Sequence, residues 1–237
     1  MKILLTFGIL ILVFISCTDE KPKITYPENG TDKIEEIKRD STVIEITDLP
    51  IHIDSTQYLI HPIGEFNLYD SRKSGYFSSS NYGSSSLIIS TYSNYRISGN
   101  LYNLKFENIK TNKIRSLTDK NLIIKSVTFL KDIFDNIEKQ ILVYRILDKD
   151  TNRDKKLDDN DISALYISNI DGTNFTKMTS EFKGLIDWKT IPIMNRLYFR
   201  SIEDTNKNGE FDKDDKIYYN FVDLTNKNWN VKKYEPI

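Results

Sequence analysis

The chain is organised around the stretch Asp204-Thr205-Asn206-Lys207-Asn208-Gly209-Glu210-Phe211-Asp212-Lys213-Asp214-Asp215. Side chains that carry oxygen occupy its positions 1, 3, 5, 9 and 12, and glycine occupies position 6. Alternate oxygens around a tight turn, closed by a final carboxylate, are the ligands that a hard divalent cation prefers. A polar surface turn is the simpler alternative, because Asp, Asn and Gly all favour turns. The number of constrained positions that match favours the metal-binding interpretation.

This spacing resembles the calcium loop of the EF-hand type. The resemblance implies calcium as cofactor, held by Asp204, Asn206, Asn208, the backbone carbonyl of Glu210, Asp212 and Asp215. The last position is Asp rather than the usual Glu, which is similar to the closure of dockerin-type loops.

A second copy of the pattern covers residues 150–161. Its expected ligands are Asp150, Asn152, Asp154, the backbone carbonyl of Lys156, Asp158 and Asp161. Lys155 replaces glycine at position 6, where a left-handed backbone costs a residue with a side chain on the order of 1 kcal/mol. Four ligand carboxylates, against three in the loop at 204–215, favour the ion, whereas the backbone strain opposes it. We therefore expect calcium to bind more tightly at 204–215.

The first residues predict an export signal and a lipid anchor. A positive start at Lys2 is followed by an apolar run from Ile3 to Ile15, which is short for a transmembrane helix and typical of a signal peptide over residues 1–16. Ser16-Cys17 after that run resembles the lipobox of bacterial lipoproteins, although Phe14 stands where Leu is usual. The alternative is an ordinary signal peptide with a chance cysteine. Cys17 is the only cysteine in the chain, which favours the lipoprotein.

The lipobox resemblance implies where the protein is located in the cell. In that family the cysteine becomes the acylated N-terminus, carrying fatty acids such as palmitate, so Cys17 would anchor the protein to a membrane of the bacterial cell envelope. Asp19-Glu20 resembles a surface-export signal found after the lipidated cysteine. The outer membrane or the cell surface is therefore favoured over the inner membrane.

The remainder divides into a flexible tether over residues 17–40 and one domain over residues 41–237. The tether is polar and contains few apolar residues, so it cannot bury enough surface to fold alone. In the domain, short β-branched segments alternate with turns that are rich in Asn, Asp, Gly and Ser, which predicts an all-β fold. The expected strands are Thr42–Ile46, Thr56–Pro62, Ser86–Ser93, Leu101–Asn108, Lys113–Leu117, Leu122–Phe129, Ile141–Leu147, Ala164–Ile170, Phe175–Met178, Leu185–Thr190, Arg196–Ile202, Lys216–Val222 and Asn228–Tyr234. We also expect a helical turn over Ile133–Glu138, a turn over Asn94–Asn100 and a long loop or edge hairpin over Ser71–Ser86.

The two loops reveal an internal repeat. Each loop follows a hydrophobic strand and precedes a strand with an apolar–Tyr pair, at Leu165-Tyr166 and Ile217-Tyr218. An upstream copy, which starts near Leu87, closes the same hairpin with ordinary turn residues. The pattern therefore predicts that the loops are separate insertions in an antiparallel β meander. We expect them to bind calcium without cooperativity.

The strand–Asp-Gly–strand pattern over Leu165–Thr179 resembles the blades of TolB-type β-propellers. Calcium loops within β hairpins are similar to those of integrin α-subunit propellers. Three repeats are fewer than the four blades of the smallest propellers. Either residues 46–77 supply a fourth sheet, or the array is partial and open.

The composition excludes some functions. The net charge of −1 and the absence of a dense basic patch argue against a nucleic-acid partner. The two histidines, His52 and His61, lack the spacing of a zinc site, and no serine lies in a nucleophile-elbow motif. Tyr82, Tyr92, Tyr95 and Tyr102 could form a binding surface, but sheets favour tyrosine for packing as well.

The sequence thus predicts a calcium-stabilised lipoprotein that acts as a non-catalytic binding or scaffold module. Its expected partners are the membrane, through Cys17, and an envelope or extracellular protein or glycan. Two alternatives stay open. One is a subunit of a glycan-acting hydrolase or lyase. The other is a dockerin-like assembly module, although dockerin repeats place a helix directly after each loop.

Overall fold

The fold consists of antiparallel β-sheets. A computed structural model describes residues 21–26, 44–66 and 89–236. Strand accounts for 48% of the structure and helix for 6%, so the predicted all-β fold is confirmed. The strands are β1 (Ile44–Thr47), β2 (Ile51–His52), β3 (Tyr58–Phe66), β4 (Ser90–Ser93), β5 (Arg96–Asn108), β6 (Ile114–Ser116), β7 (Ile123–Phe129), β8 (Ile141–Leu147), β9 (Ser163–Asn169), β10 (Thr176–Lys177), β11 (Lys183–Ile191), β12 (Arg196–Glu203), β13 (Lys216–Asp223) and β14 (Val231–Lys233). A helix, α1 (Lys131–Ile137), lies where the helical turn was predicted, and a 3-10 turn covers Pro192–Met194.

Ten strands form one large sheet with the order β1-β3-β5-β7-β8-β9-β10. The short strands β2, β4 and β6 pair with its members: β2 with β3, and β4 and β6 with β5. The N-terminal part of β5 pairs with β7 and its C-terminal part pairs with β3, and the register with β7 shifts between Ser98 and Leu101. Strand β5 therefore joins two halves of the sheet.

The last four strands form a separate antiparallel meander, β11-β12-β13-β14. It packs against the large sheet through an apolar core. Strand β8 shows why, because both of its faces are buried. Leu142, Tyr144 and Ile146 belong to a core shared with β3 and β5, whereas Ile141 and Val143 belong to a core shared with β12 and β13. The near-continuous apolar run of β8 is what a strand covered on both faces requires.

The predicted turn over Asn94–Asn100 is present but shorter than predicted. The turn between β4 and β5 consists of Asn94 and Tyr95, which have φ values of 49° and 60°. Two positive φ values are the signature of the tight hairpin turn whose twist matches that of the flanking strands. Strand β5 consequently begins at Arg96. The predicted loop over Ser71–Ser86, Tyr82, the signal peptide and Cys17 lie outside the described residues.

Residues 21–26, 44–66 and 89–236 contain no helix that is long and apolar enough to cross a membrane.

Candidate functional site

Both predicted calcium loops connect neighbouring antiparallel strands. The loop at 150–161 joins β8 to β9, and the loop at 204–215 joins β12 to β13. Strand β9 begins at Ser163 and strand β13 at Lys216, so a strand follows each loop where a dockerin repeat would have a helix. The loops are therefore insertions in β hairpins, as the sequence predicts.

The first and last aspartates of each loop organise its backbone in the same way. Asp150 accepts hydrogen bonds from the amides of the fifth and sixth residues at 3.2 and 2.9 Å, and Asp204 does so at 3.2 and 2.7 Å. Asp161 accepts from the amides of the second and ninth residues at 2.6 and 3.0 Å. Asp215 makes the corresponding bonds at 2.9 and 2.9 Å. The two loops differ in sequence but thus have the same pattern of internal hydrogen bonds.

The intermediate ligand positions repeat as well. The third, fifth and ninth residues of each loop accept a hydrogen bond from the amide two residues further on. These residues are Asn152, Asp154 and Asp158 in the first loop and Asn206, Asn208 and Asp212 in the second. Such bonds hold the chain in successive tight turns, and each accepting oxygen keeps a second lone pair.

The backbone conformation at the sixth position agrees with the prediction. Lys155 has a φ of 67° and Gly209 a φ of 87°. The fourth residues, Arg153 and Lys207, are left-handed too, with φ values of 61° and 58°. Lys155 therefore carries the strain that glycine avoids.

Three of the aspartates are buried and pair with no basic side chain of the described residues. Asp150, Asp161 and Asp204 are only 6%, 2% and 3% exposed. None of them forms an ion pair within the described part of the chain. Burial raises the pKa of the Asp161 carboxyl, and the hydrogen bonds from the amides oppose that rise. Buried charges in proteins are usually paired or coordinate a metal, so these carboxylates fit a cation.

The carboxylates do not form a compact cluster. Among residues 21–26, 44–66 and 89–236, no group of three or more His, Cys, Asp or Glu side chains is arranged to hold a metal ion. The predicted ligand sets also rely on amide oxygens and on the carbonyls of Lys156 and Glu210, which are normal calcium ligands. The oxygen ligands and the backbone conformation of the two loops therefore fit calcium, but the carboxylates alone do not define the site.

Residues 21–26 lie between the two loops. Lys23 and Thr25 donate backbone hydrogen bonds to Asn160 and Thr151 of the first loop, at 2.9 and 2.7 Å. Ile24 donates to Gly209 of the second loop at 3.0 Å. The segment thus alternates between the loops, as an extended strand does when it has a neighbour on each side.

Side chains reinforce this arrangement. The Thr25 hydroxyl donates to the Asn152 carbonyl at 2.8 Å, and the Thr151 hydroxyl donates to the Lys23 carbonyl at 2.9 Å. Ile24 is only 3% exposed. Lys23 forms an exposed ion pair with Glu210 at 3.4 Å.

These contacts change two expectations. The flexible tether over residues 17–40 is wrong for residues 21–26, because one apolar side chain and several backbone hydrogen bonds fasten them to the domain. The loops are hairpin insertions as predicted, but a single segment bonds to both, so we now expect coupled rather than independent calcium binding. Sequence reasoning missed Ile24, whose only signal is its position as an isolated apolar residue between Pro22 and Pro27.

The remaining candidates have structural partners. His52 Nε2 lies 3.0 Å from the Thr56 carbonyl, and His61 Nε2 lies 2.8 Å from a Glu107 oxygen. Tyr95 packs against Phe129 with ring centroids 6.3 Å apart, whereas Tyr92 is 41% exposed. Tyr95 therefore has a packing role, the simpler alternative for these tyrosines.

Comparison with known proteins adds no family: no protein-family model, curated protein or solved structure matches this chain.

Proposed function

We propose that this protein is a calcium-stabilised, lipid-anchored binding or scaffold module of the bacterial cell envelope. The observation that carries the proposal is a pair of loops that have the same hydrogen-bond pattern and whose buried aspartates pair with no Lys or Arg side chain in the described part of the chain. In the first loop Asp150, Asn152, Asp154, Asp158, Asp161 and the Lys156 carbonyl would hold the ion. In the second loop Asp204, Asn206, Asn208, Asp212, Asp215 and the Glu210 carbonyl would do so.

Calcium would act here by electrostatics. Carboxylates that share a small loop repel one another, and a divalent cation removes that repulsion while it fixes the turn. Extracellular calcium modules typically bind with dissociation constants of about 10⁻⁴–10⁻³ M, which suits a protein exposed to external calcium. Binding to the folded state alone would stabilise the fold by mass action.

Two features support a non-catalytic role. Asp148 and Glu181 share a cavity, but that cavity measures only about 10 Å³ and both carboxylates bind Lys177, at 2.6 and 3.4 Å. In addition, the outer face of the last sheet carries an aromatic cluster. Its rings, with centroids 5.3–6.2 Å apart, belong to Tyr198, Tyr219, Phe221 and Tyr234. Aromatic faces are frequent in binding surfaces.

The proposal also covers the cellular location of the protein and the arrangement of its sheets. Lipidation at Cys17 would hold the protein at the outer membrane or the cell surface, where an envelope protein or a glycan would be its partner. The successive packing of sheets around β8 and against β11–β14 is compatible with a β-propeller-like arrangement, partial or open.

Calorimetric titration with calcium tests the proposal. Asp204→Ala removes a predicted ligand, and Asp214→Ala removes an exposed carboxylate of the same loop that is not a predicted ligand. We expect Asp204→Ala to abolish one binding event and to reduce the calcium-dependent rise in melting temperature, and Asp214→Ala to preserve both. Unchanged stoichiometry in Asp204→Ala would contradict the assignment.

A further inference from the structure

A polar cleft of about 630 Å³ separates the large sheet from strand β11. Its size lies within the range of small-molecule sites, about 300–1,000 Å³. Next to it, the same two sheets meet through apolar residues such as Val143, Leu185 and Leu197. The interface between the sheets is therefore apolar in one part and polar in the other.

The polar wall is built by strand register. Thr91 on β4 lies opposite Ser98 on β5, which in turn lies opposite Ser126 on β7. Ser126 lies opposite Arg145 on β8. These four side chains therefore form one row across four neighbouring strands.

A second row lies two residues further along. Ser93 on β4 pairs with Arg96 on β5, and Arg96 pairs with Thr128 on β7. Residues two apart in a strand point to the same face. Five serine or threonine residues and two arginines of these rows therefore line the cleft.

The two arginines of the cleft lack acidic partners. Arg96 and Arg145 each donate from Nε to a serine hydroxyl, of Ser98 at 3.2 Å and of Ser163 at 3.0 Å. Neither forms an ion pair among the residues that the structure describes. Asp187 is the only carboxylate among the described residues of the lining, and it binds Arg200. No acidic side chain of the described residues therefore occupies the outer nitrogens of the two arginines.

The opposite wall of the cleft contributes an aromatic group. Trp188 on β11 lines the opposite wall and is only partly buried, so it offers an aromatic contact.

We propose that this cleft binds an acidic carbohydrate. Arg96 and Arg145 would hold its carboxylate or sulfate group, because guanidinium groups bind planar or tetrahedral oxyanions through paired hydrogen bonds. The serine and threonine hydroxyls both donate and accept, which matches the hydroxyls of a sugar. An acidic peptide would use the arginines too, but its backbone offers separate N–H donors and C=O acceptors, whereas each sugar ring offers several hydroxyls that both donate and accept. The inference rests on the proposed binding role and names its ligand class.

Binding of oligosaccharides to the whole mature protein tests the proposal. The probes are oligogalacturonates, which carry carboxylates, sulfated galactan oligosaccharides, and matched neutral forms made by methyl esterification or desulfation. We expect one acidic class to bind and its neutral form to bind at least about tenfold more weakly. The class that binds decides between carboxylate and sulfate.

Variants then locate the site. Arg96→Gln and Arg145→Gln should each weaken binding about tenfold, and Ser126→Ala should weaken it by a smaller factor. Arg115→Gln, on the exposed strand β6, removes the same charge away from the cleft and should have no effect. Calcium-dependent melting should be unchanged in all four variants, which shows that the fold is intact.

Several results would overturn the inference: no binding of any acidic probe, equal binding of neutral forms, binding of an acidic peptide alone, or equal loss in Arg115→Gln. Chain-length analysis of the bound oligosaccharide separates the two proposals. Cleavage that depends on Arg96 and Arg145 would support the cleft and contradict the non-catalytic role. Intact calcium binding without any carbohydrate binding would contradict the cleft alone.

Discussion

Gly209→Ala tests whether residues 21–26 and the loop at 204–215 form one unit. Gly209 has a φ of 87°, and a Cβ atom at this position would lie 2.6 Å from the Ile24 carbonyl oxygen. That atom belongs to the backbone of a segment held by a 3.0 Å hydrogen bond from Ile24 to Gly209 itself. The clash is therefore relieved only if the segment or the loop moves.

Opposing terms determine the size of the effect. Alanine in a left-handed conformation costs about 1–2 kcal/mol. Release of the segment exposes Ile24, which loses about 1.5–3 kcal/mol of hydrophobic stabilisation, and breaks hydrogen bonds worth about 0.5–1.5 kcal/mol each. Each of the six released residues regains about 1–2 kcal/mol of backbone entropy, which cancels that loss and leaves the alanine strain as the main cost. We therefore expect the free energy of unfolding to fall by about 1–3 kcal/mol, with local release of the segment rather than global unfolding.

Urea unfolding and amide hydrogen exchange measure the two consequences separately. The amides of Ile24 and Thr25 should lose protection in Gly209→Ala, while those of β12 and β13 keep it. Lys155→Gly is the matched control, because it changes the same position of the other loop and relieves strain. It should leave the segment protected and the stability within about 1 kcal/mol of the wild type. Full protection of Ile24 in Gly209→Ala would refute the reasoning.

Three further predictions concern coupling, anchoring and pH. Because residues 21–26 bond to both loops, Asp204→Ala should also weaken calcium binding at 150–161. In a calorimetric titration, Ile24→Ala should make the two sites independent. Independent sites in the wild type would contradict this coupling. Cys17→Ser should abolish labelling by a fatty-acid probe, and persistent label would exclude Cys17 as the acylated residue. Burial raises the pKa of the Glu181 carboxyl, but Lys149 and Lys177 outweigh burial and lower it. The ion pairs of Glu181 therefore stabilise the fold above the ordinary carboxyl pKa, and this stabilisation is lost as pH falls through the lower pKa of the folded state. Glu181→Gln should thus reduce the free energy of unfolding by less than about 1 kcal/mol near pH 7 and have no effect below about pH 3, because the carboxylate is partly exposed; an undiminished difference in acid would contradict the ion-pair explanation.

Local patterns were the most predictable features. Strand β8 was predicted with its observed bounds because an uninterrupted apolar run between polar segments leaves little choice. The conformation at Lys155 followed from the position of glycine in the other loop. The turn after β4 was predicted at its observed start but too long, because Gly99 and Asn100 lie within β5. The strand pairing that keeps them extended involves residues distant in sequence, which single-residue preferences do not report.

The sequence by itself determined the all-β class, the two oxygen-rich loops and their place in hairpins, because these depend on spacing within a few residues. Only the tertiary structure decided that Ile24 lies between the loops and that Arg96 and Arg145 face one cleft without acidic partners. Contacts between residues far apart in the chain depend on strand order and register, and neither leaves a local pattern. The roles of a polar segment and of a lone arginine in an apolar strand therefore depend on the residues that the fold places beside them.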